Sequence, residues 1–359
     1  MTFQPGCLAT AIGSMPHDNA EAAIDVVLDA IPDAPIWPQL PRISLNEQME
    51  IQYSEGIPGT VIDREKRRMY FDTTTDHSED FAAFYEAYLQ AMDPDEGTGD
   101  CSAMAISPDF SRGIYALESR LKTTGRKPPF IKIQTTGPCS FALTIVDQDK
   151  RAIYYNEEFR DVIIKALAMK CRWQIQKFGA YAERVICFVD EPILSAFGSS
   201  TYVSVNRRDV VAHLQELIQA IHMDRGIAGV HCCGNTEWSL LIDAGVDIIN
   251  FDAFDYGETI ALYAPAVRAH LERGGMLAWG IVPTSRAIRE QTVDTLMTHF
   301  DKVVEHLANR AGMKVQKVIE QSLVTPSCGT GSMEIADSEK VFSLLGGLSQ
   351  ALRARYGFQ

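Results

Sequence analysis

The sequence predicts an α/β protein, a (β/α)8 TIM barrel with an elaboration between the second and third barrel strands. Three observations carry that expectation. From about residue 130 onward, short β-type runs alternate with amphipathic stretches, the pattern of a parallel sheet. Counted along the whole chain, the β-type runs number eight, and each is followed by polar or small residues. The 359 residues hold no linker, low-complexity segment or domain-sized shift in composition. Residues 1–359 are therefore expected to form a single catalytic domain with an insert at about 59–127.

The elements follow in order. Strands are expected at 8–12 and near 34–37. The stretch 59–72 has two β-type arms around a charged turn and reads as a hairpin, and 73–127 is the least regular part. Phe130 to Thr135 is a strand. Residues 158–178 place Phe159, Val162, Ile163, Ala166, Leu167 and Met169 on one helical face. Val185 to Val189 is continuously apolar, as in a strand covered on both sides. Asn206, with Asp209 three positions on, opens the next helix as an N-cap. Strands at 228–231, 247–251, 276–281 and 321–325 alternate with helices at 236–244, 258–272, 287–309 and 337–354.

Charge and cysteine narrow the function classes. The 47 acidic and 33 basic side chains leave a net charge of −14, which argues against nucleic acid and against a basic membrane-surface helix. No apolar run reaches the ~18 residues of a spanning helix. No Lys or Arg precedes Arg42, so the charged start of a secretory signal is missing and a cytoplasmic location is expected. Eight cysteines without framework spacing point to metal binding or burial rather than to disulfides.

In a barrel the chemistry sits at the carboxyl ends of the strands. His231 and Cys233 are two apart in an extended segment and point the same way, so both can face one ion. Cys328 ends the last strand. One imidazole, two thiolates and an open position make a catalytic zinc set, against the alternative of buried core residues. Asp252, ending the strand after His231, is a candidate weak or displaceable fourth ligand, and Cys232 is expected to point away into the core. Asp190-Glu191 suits a structural ion pair as well as a substrate amine. Ser14 suits a helix cap as well as a loop offering backbone N–H groups to a carboxylate. His17 is open between a pocket role and a turn.

Five segments carry a resemblance: Thr10 to Pro16, Gly137-Pro138, Val189 to Pro192, His231-Cys232-Cys233 and Pro326 to Gly329. In this order, over most of the chain, they resemble the catalytic barrel of cobalamin-independent methionine synthase. That family lies in a superfamily shared with uroporphyrinogen decarboxylase and methylcobamide:coenzyme M methyltransferases. The resemblance implies zinc on His231, Cys233 and Cys328, with Asp252 where the family places a glutamate ligand. It implies Ser14 near an amino acid's carboxylate and Asp190 on its amino group. The implied reaction is methyl transfer to the thiol of homocysteine, giving methionine.

Two departures bear on the donor. The second barrel of the folate-dependent members is absent. Their Asp-Ile-His-Ser stretch is replaced by Gly280 to Ser285, without the proton-donating His. Both imply methylcobalamin or a corrinoid protein partner as donor, as in the single-barrel core type. A third concerns the acceptor: a family glutamate near the substrate amine falls around Ile43, with Glu47 and Glu50 nearby. Other readings are transfer to a coenzyme M-like thiol, a uroporphyrinogen decarboxylase-like activity, and a non-catalytic corrinoid- or thiol-binding protein.

Overall fold

The computed structural model describes residues 3–93, 99–202 and 204–358. Its centre is a curled, seven-stranded, all-parallel sheet surrounded by helices. In chain order the strands are β1 (Leu8–Ala9), β2 (Thr60–Asp63), β3 (Arg68–Phe71), β4 (Phe130–Thr136), β5 (Arg184–Asp190), β6 (Ile227–Cys232), β7 (Ile248–Phe251), β8 (Met276–Val282) and β9 (Ser322–Pro326). The sheet order is β1-β9-β8-β7-β6-β5-β4, and β2 and β3 pair separately as the antiparallel hairpin expected at 59–72.

The expected eighth strand, near 34–37, is instead an extended segment held by isolated bridges. Ile36 pairs with Lys132 of β4, and Gln39 pairs with Ser14 beyond β1. The N–H groups of Phe130 and Lys132 donate to the carbonyls of Asp33 and Pro35, and Gln39 and Met15 exchange bonds with Gly13 and Gln39. The reason lies in the sequence: Pro35 and Pro38 have no N–H to contribute, so a regular ladder cannot form there.

The sheet is buried on both faces, for two different reasons. Ile186, Phe188, Ile227, Ile248, Met276, Ala278 and Leu323 pack with one another on the concave side. Residues of opposite parity, such as Cys187, Val189, Val230, Ile249, Leu277 and Val324, join the larger core under the helices. This explains the unbroken apolar runs. Cys232 lies on the outer, helix-covered side, as its odd spacing from His231 requires. Gly229 is required where it stands, because a Cβ there would lie 2.4 Å from the Phe188 ring.

Following the concave face toward the carboxyl ends, the side chains turn polar. Phe188 gives way to Asp190, Ile248 to Asn250, Leu323 to Thr325, and Gly229 to His231. The register aligns Thr136, Asp190, His231, Asn250 and Ala278 across β4 to β8. An apolar plug thus closes one end of the sheet's concavity and supports a polar floor at the other.

Most helices fall where expected. Glu157–Gly179 is capped by Asn156, and Arg207–Met223 by Asn206. The expected helix at 258–272 is split into a 3-10 turn, Thr259–Tyr263, and the helix Ala264–Glu272, because Pro265 can enter a helix only in its first turn. The expected 287–309 helix starts late, at Val293, where Thr292 and Thr295 form a capping box. The insert contributes the hairpin and the helices Ser78–Met92 and Arg112–Thr124; its residues 94–98 lie outside the described residues. No helix among the described residues is long and apolar enough to cross a membrane.

Candidate metal centre

His231 ends β6 facing inward, Cys233 follows two residues later on the same side, and Cys328 lies just past β9. The structure brings the three together: their ligand atoms all lie within 4.8 Å of one another. His231 is buried and the two thiols are half-buried. The hydrogen bond from Cys328, with His231 close by, holds the Cys233 thiol down to about 4. The same bond, together with burial, pushes the Cys328 thiol up.

The imidazole is oriented by a residue the sequence reading missed. Asn250 Oδ1 lies 2.6 Å from His231 Nδ1. Its Nδ2 donates to the Ala278 carbonyl at 2.9 Å and to Thr325 Oγ1 at 2.8 Å. His231 Nε2 is buried without a hydrogen-bond partner. A buried, unpartnered ring nitrogen beside two sulfurs matches a borderline-soft divalent ion, and zinc takes this one-nitrogen, two-sulfur set with a fourth position left open. The signal in the sequence was a lone polar residue in the apolar run Ile248-Ile249-Asn250-Phe251.

A cavity of about 90 Å³ opens beside the cluster, walled by Ser14, Gln39, Met49, Gln134 and Asp190 as well as the three donors. It is small. A larger concavity, of about 580 Å³, lies at the opposite end of the strands, around Glu183 and Arg225, away from these donors.

Asp190 is 8% exposed and its Oδ1 has no partner. Burial pushes its carboxyl up to about 6, opposed by the positive charge of Lys132. Lys132 is wholly buried, and burial pulls its ammonium down to about 8. It donates to the Ile12 carbonyl and, at 3.1 Å, to Gln134 Oε1. Lys132 and Gln134 were also missed, although their alternation with Ile131 and Ile133 placed them on one face of the strand.

Ser14 reaches the pocket rather than a helix end; Asn19 is the residue that caps the helix Ala20–Ala30. The Ser14 hydroxyl accepts from the Gly331 N–H at 3.4 Å, and a Cβ on Gly329 would lie 2.0 Å from it. Glu191 takes a structural role, though not the ion pair expected. Its carboxylate accepts from the N–H groups of Cys139 and Ser140 and from the Ser140 hydroxyl, capping the helix Pro138–Thr144. His17 lies 3.6 Å from Glu339 and does not line the cavity.

Asp252 is not brought into the cluster. It stands where the chain leaves β7 and turns into the short helix Ala253–Tyr256, whose first N–H groups need an acceptor. Its Oδ1 accepts from Phe254 and Asp255 at 2.9 and 3.0 Å. Burial pushes its carboxyl up to about 6, and Cys233 is close enough for its charge to add to that rise.

No family model matches the chain, and no curated protein does. The solved structures it is similar to include a native Bacteroidetes-affiliated GH5 cellulase linked with a polysaccharide utilization locus. That likeness has 13% identity and a TM-score of 0.39, over 72% of this chain and 81% of the cellulase. Another is wild-type ZgEngAGH5_4, at 12% identity and TM-score 0.37, over 72% of this chain and 87% of that one. The same protein in complex with a cellotriose gives 11% and 0.38, over 74% and 87%. These neighbours are glycoside hydrolases, and the expected methyltransferase activity, from a methylcorrinoid to homocysteine in methionine biosynthesis, is corrected accordingly. At this identity and TM-score the likeness carries no activity over to this chain.

Proposed function

We propose that this chain is a zinc metalloenzyme that binds a small thiol at the coordination position left open by His231, Cys233 and Cys328. One observation carries the reading: His231 Nε2 is buried and unpartnered beside two thiols, while its other nitrogen is held by Asn250. Bound there, zinc would supply a positive charge that keeps a thiol ligand ionised at neutral pH.

The chain's own residues supply the rest of the pocket. Asp190 offers a free carboxylate oxygen to a cationic group of the ligand, such as an ammonium, and Lys132 beneath it favours the charged carboxylate. Ser14, backed against the Gly329 to Gly331 turn, lines the opposite wall and serves a polar end of the ligand. The same reading takes residues 33–39 as the eighth stave of a (β/α)8 barrel, with this pocket at its mouth. It also keeps the kinship suggested by the His-x-Cys and Pro-x-Cys-Gly segments, without an assigned reaction.

The test is metal analysis of the purified protein after loading with zinc, repeated on Cys233→Ser and Cys328→Ser. One zinc per chain in the parent and its loss in both variants is the expected result. Cobalt substitution followed by titration with 2-mercaptoethanol should then show a sulfur-to-metal charge-transfer band. A parent protein that takes up no metal would overturn the proposal.

A further inference from the structure

We infer that Asn250 is the positioning residue of this centre. It locks His231 in the tautomer that turns a lone pair toward Cys233 and Cys328, and it braces the strands that carry all three donors. The inference rests on the metal reading above and extends it to a residue that touches no ligand.

The argument is one of donor and acceptor identity. The Ala278 carbonyl can only accept, so the Asn250 atom 2.9 Å from it must be the amide nitrogen. That places Oδ1 toward His231 at 2.6 Å. A carboxamide oxygen can only accept in turn, so His231 Nδ1 must carry the hydrogen. In the neutral ring Nε2 is then the unprotonated nitrogen, and it is the one left buried without a partner. A protonated Nε2 would present an N–H to two sulfurs and could not hold a cation.

The amide also acts as a brace. Asn250 lies opposite His231 on one side and Ala278 on the other, and its second N–H crosses to Thr325 Oγ1 on β9. Cys328 follows Thr325 by three residues. One side chain therefore ties β6, which carries His231, to the strand that delivers Cys328. It does so while wholly buried, and its bond is the one that holds the His231 ring through Nδ1. Metal-bound histidines commonly have their free N–H held by such a partner, and losing that partner typically weakens metal binding by roughly 10–100-fold.

The experiment uses the full chain with Asn250→Leu, which has the same branched skeleton but cannot accept, and Asn250→Asp, which keeps an acceptor oxygen at the same place. Zinc affinity is read by competition with a chromogenic chelator. The histidine tautomer is read by nitrogen-15 NMR on metal-free protein. The parent should show His231 as the Nδ1–H tautomer. Asn250→Leu should lose that tautomer and bind zinc roughly tenfold or more weakly. Asn250→Asp should restore the Nδ1–H tautomer, but it loses both donated bonds, so its zinc affinity should lie between those of Asn250→Leu and the parent. An Nε2–H tautomer in the parent, or full zinc affinity in Asn250→Leu, would overturn the inference even if the parent binds zinc as proposed. A merely structural defect would be exposed by Asn250→Asp failing to restore the tautomer while both variants melt alike. A parent that binds no zinc but shows the Nδ1–H tautomer refutes the metal reading and, with it, this role for Asn250.

Discussion

Glu191→Ala should destabilise the protein by an amount that depends on pH in a defined direction. The carboxylate is fully buried and accepts bonds of 2.9 and 2.8 Å from the N–H groups of Cys139 and Ser140, plus one of 2.6 Å from the Ser140 hydroxyl. Truncation leaves two buried N–H donors unpaired, at about 1–3 kcal/mol each, so a loss of about 4 kcal/mol is expected from this source. Against it stands the cost of burying charge, since burial pushes the Glu191 carboxyl from 4.5 up to about 7. Between those values the folded chain holds a proton that the unfolded chain has released, so stability falls as pH rises through the window. The parent should therefore be about 2–3 kcal/mol more stable at pH 5 than at pH 8 from this group alone. The variant lacks that dependence. Its deficit should be about 4 kcal/mol at pH 5 and about 1–2 kcal/mol at pH 8. Urea denaturation of the metal-free proteins at both pH values, followed by far-UV circular dichroism, measures the difference; contributions of other titrating groups cancel between parent and variant. Equal deficits at the two pH values, or a larger one at pH 8, would refute the reasoning.

Adjacent cysteines should behave differently. Cys233→Ser should abolish stoichiometric zinc binding. Cys232→Ser, in the apolar layer under the helices, should keep the metal and lower stability by about 1–3 kcal/mol through a buried hydroxyl; calorimetry and metal analysis separate the two. Gly229→Ala places a methyl 2.4 Å from the Phe188 ring and should cost about 1–3 kcal/mol in urea unfolding, with no effect specific to metal binding. Thr292→Ala removes the capping-box hydroxyl of the helix Val293–Ala311 and should cost about 1 kcal/mol, read in the same assay. Chelation of a zinc-loaded sample should lower the melting temperature in the parent but not in Cys328→Ser, since only a protein that binds the ion gains stability from it.

Much of the fold was legible because period-two and period-3.6 patterns report local geometry directly. The continuous apolar strands, the caps at Asn206 and the hairpin at 59–72 needed no knowledge of distant contacts. The departures occur where proline intervenes. Pro35 and Pro38 leave the second strand as isolated bridges, and Pro265 restarts a helix. Both effects follow from the missing N–H, but their extent depends on what the neighbouring chain offers in return.

The candidate site divides in the same way. Spacing alone made His231 and Cys233 face the same side, and alternation put Cys232 on the other. Sequence could not decide which carboxylates remain free, because Asp190, Glu191 and Asp252 are equivalent as residue types. Their neighbours assign them: Glu191 and Asp252 serve backbone N–H groups at helix starts, and Asp190 keeps an oxygen for the pocket. Asn250 stands out in the sequence only as a lone polar residue in an apolar run, and its role comes from three partners on other strands. Local geometry follows from the order of residues along the chain, whereas a hydrogen bond between strands exists only once folding has brought its two ends together.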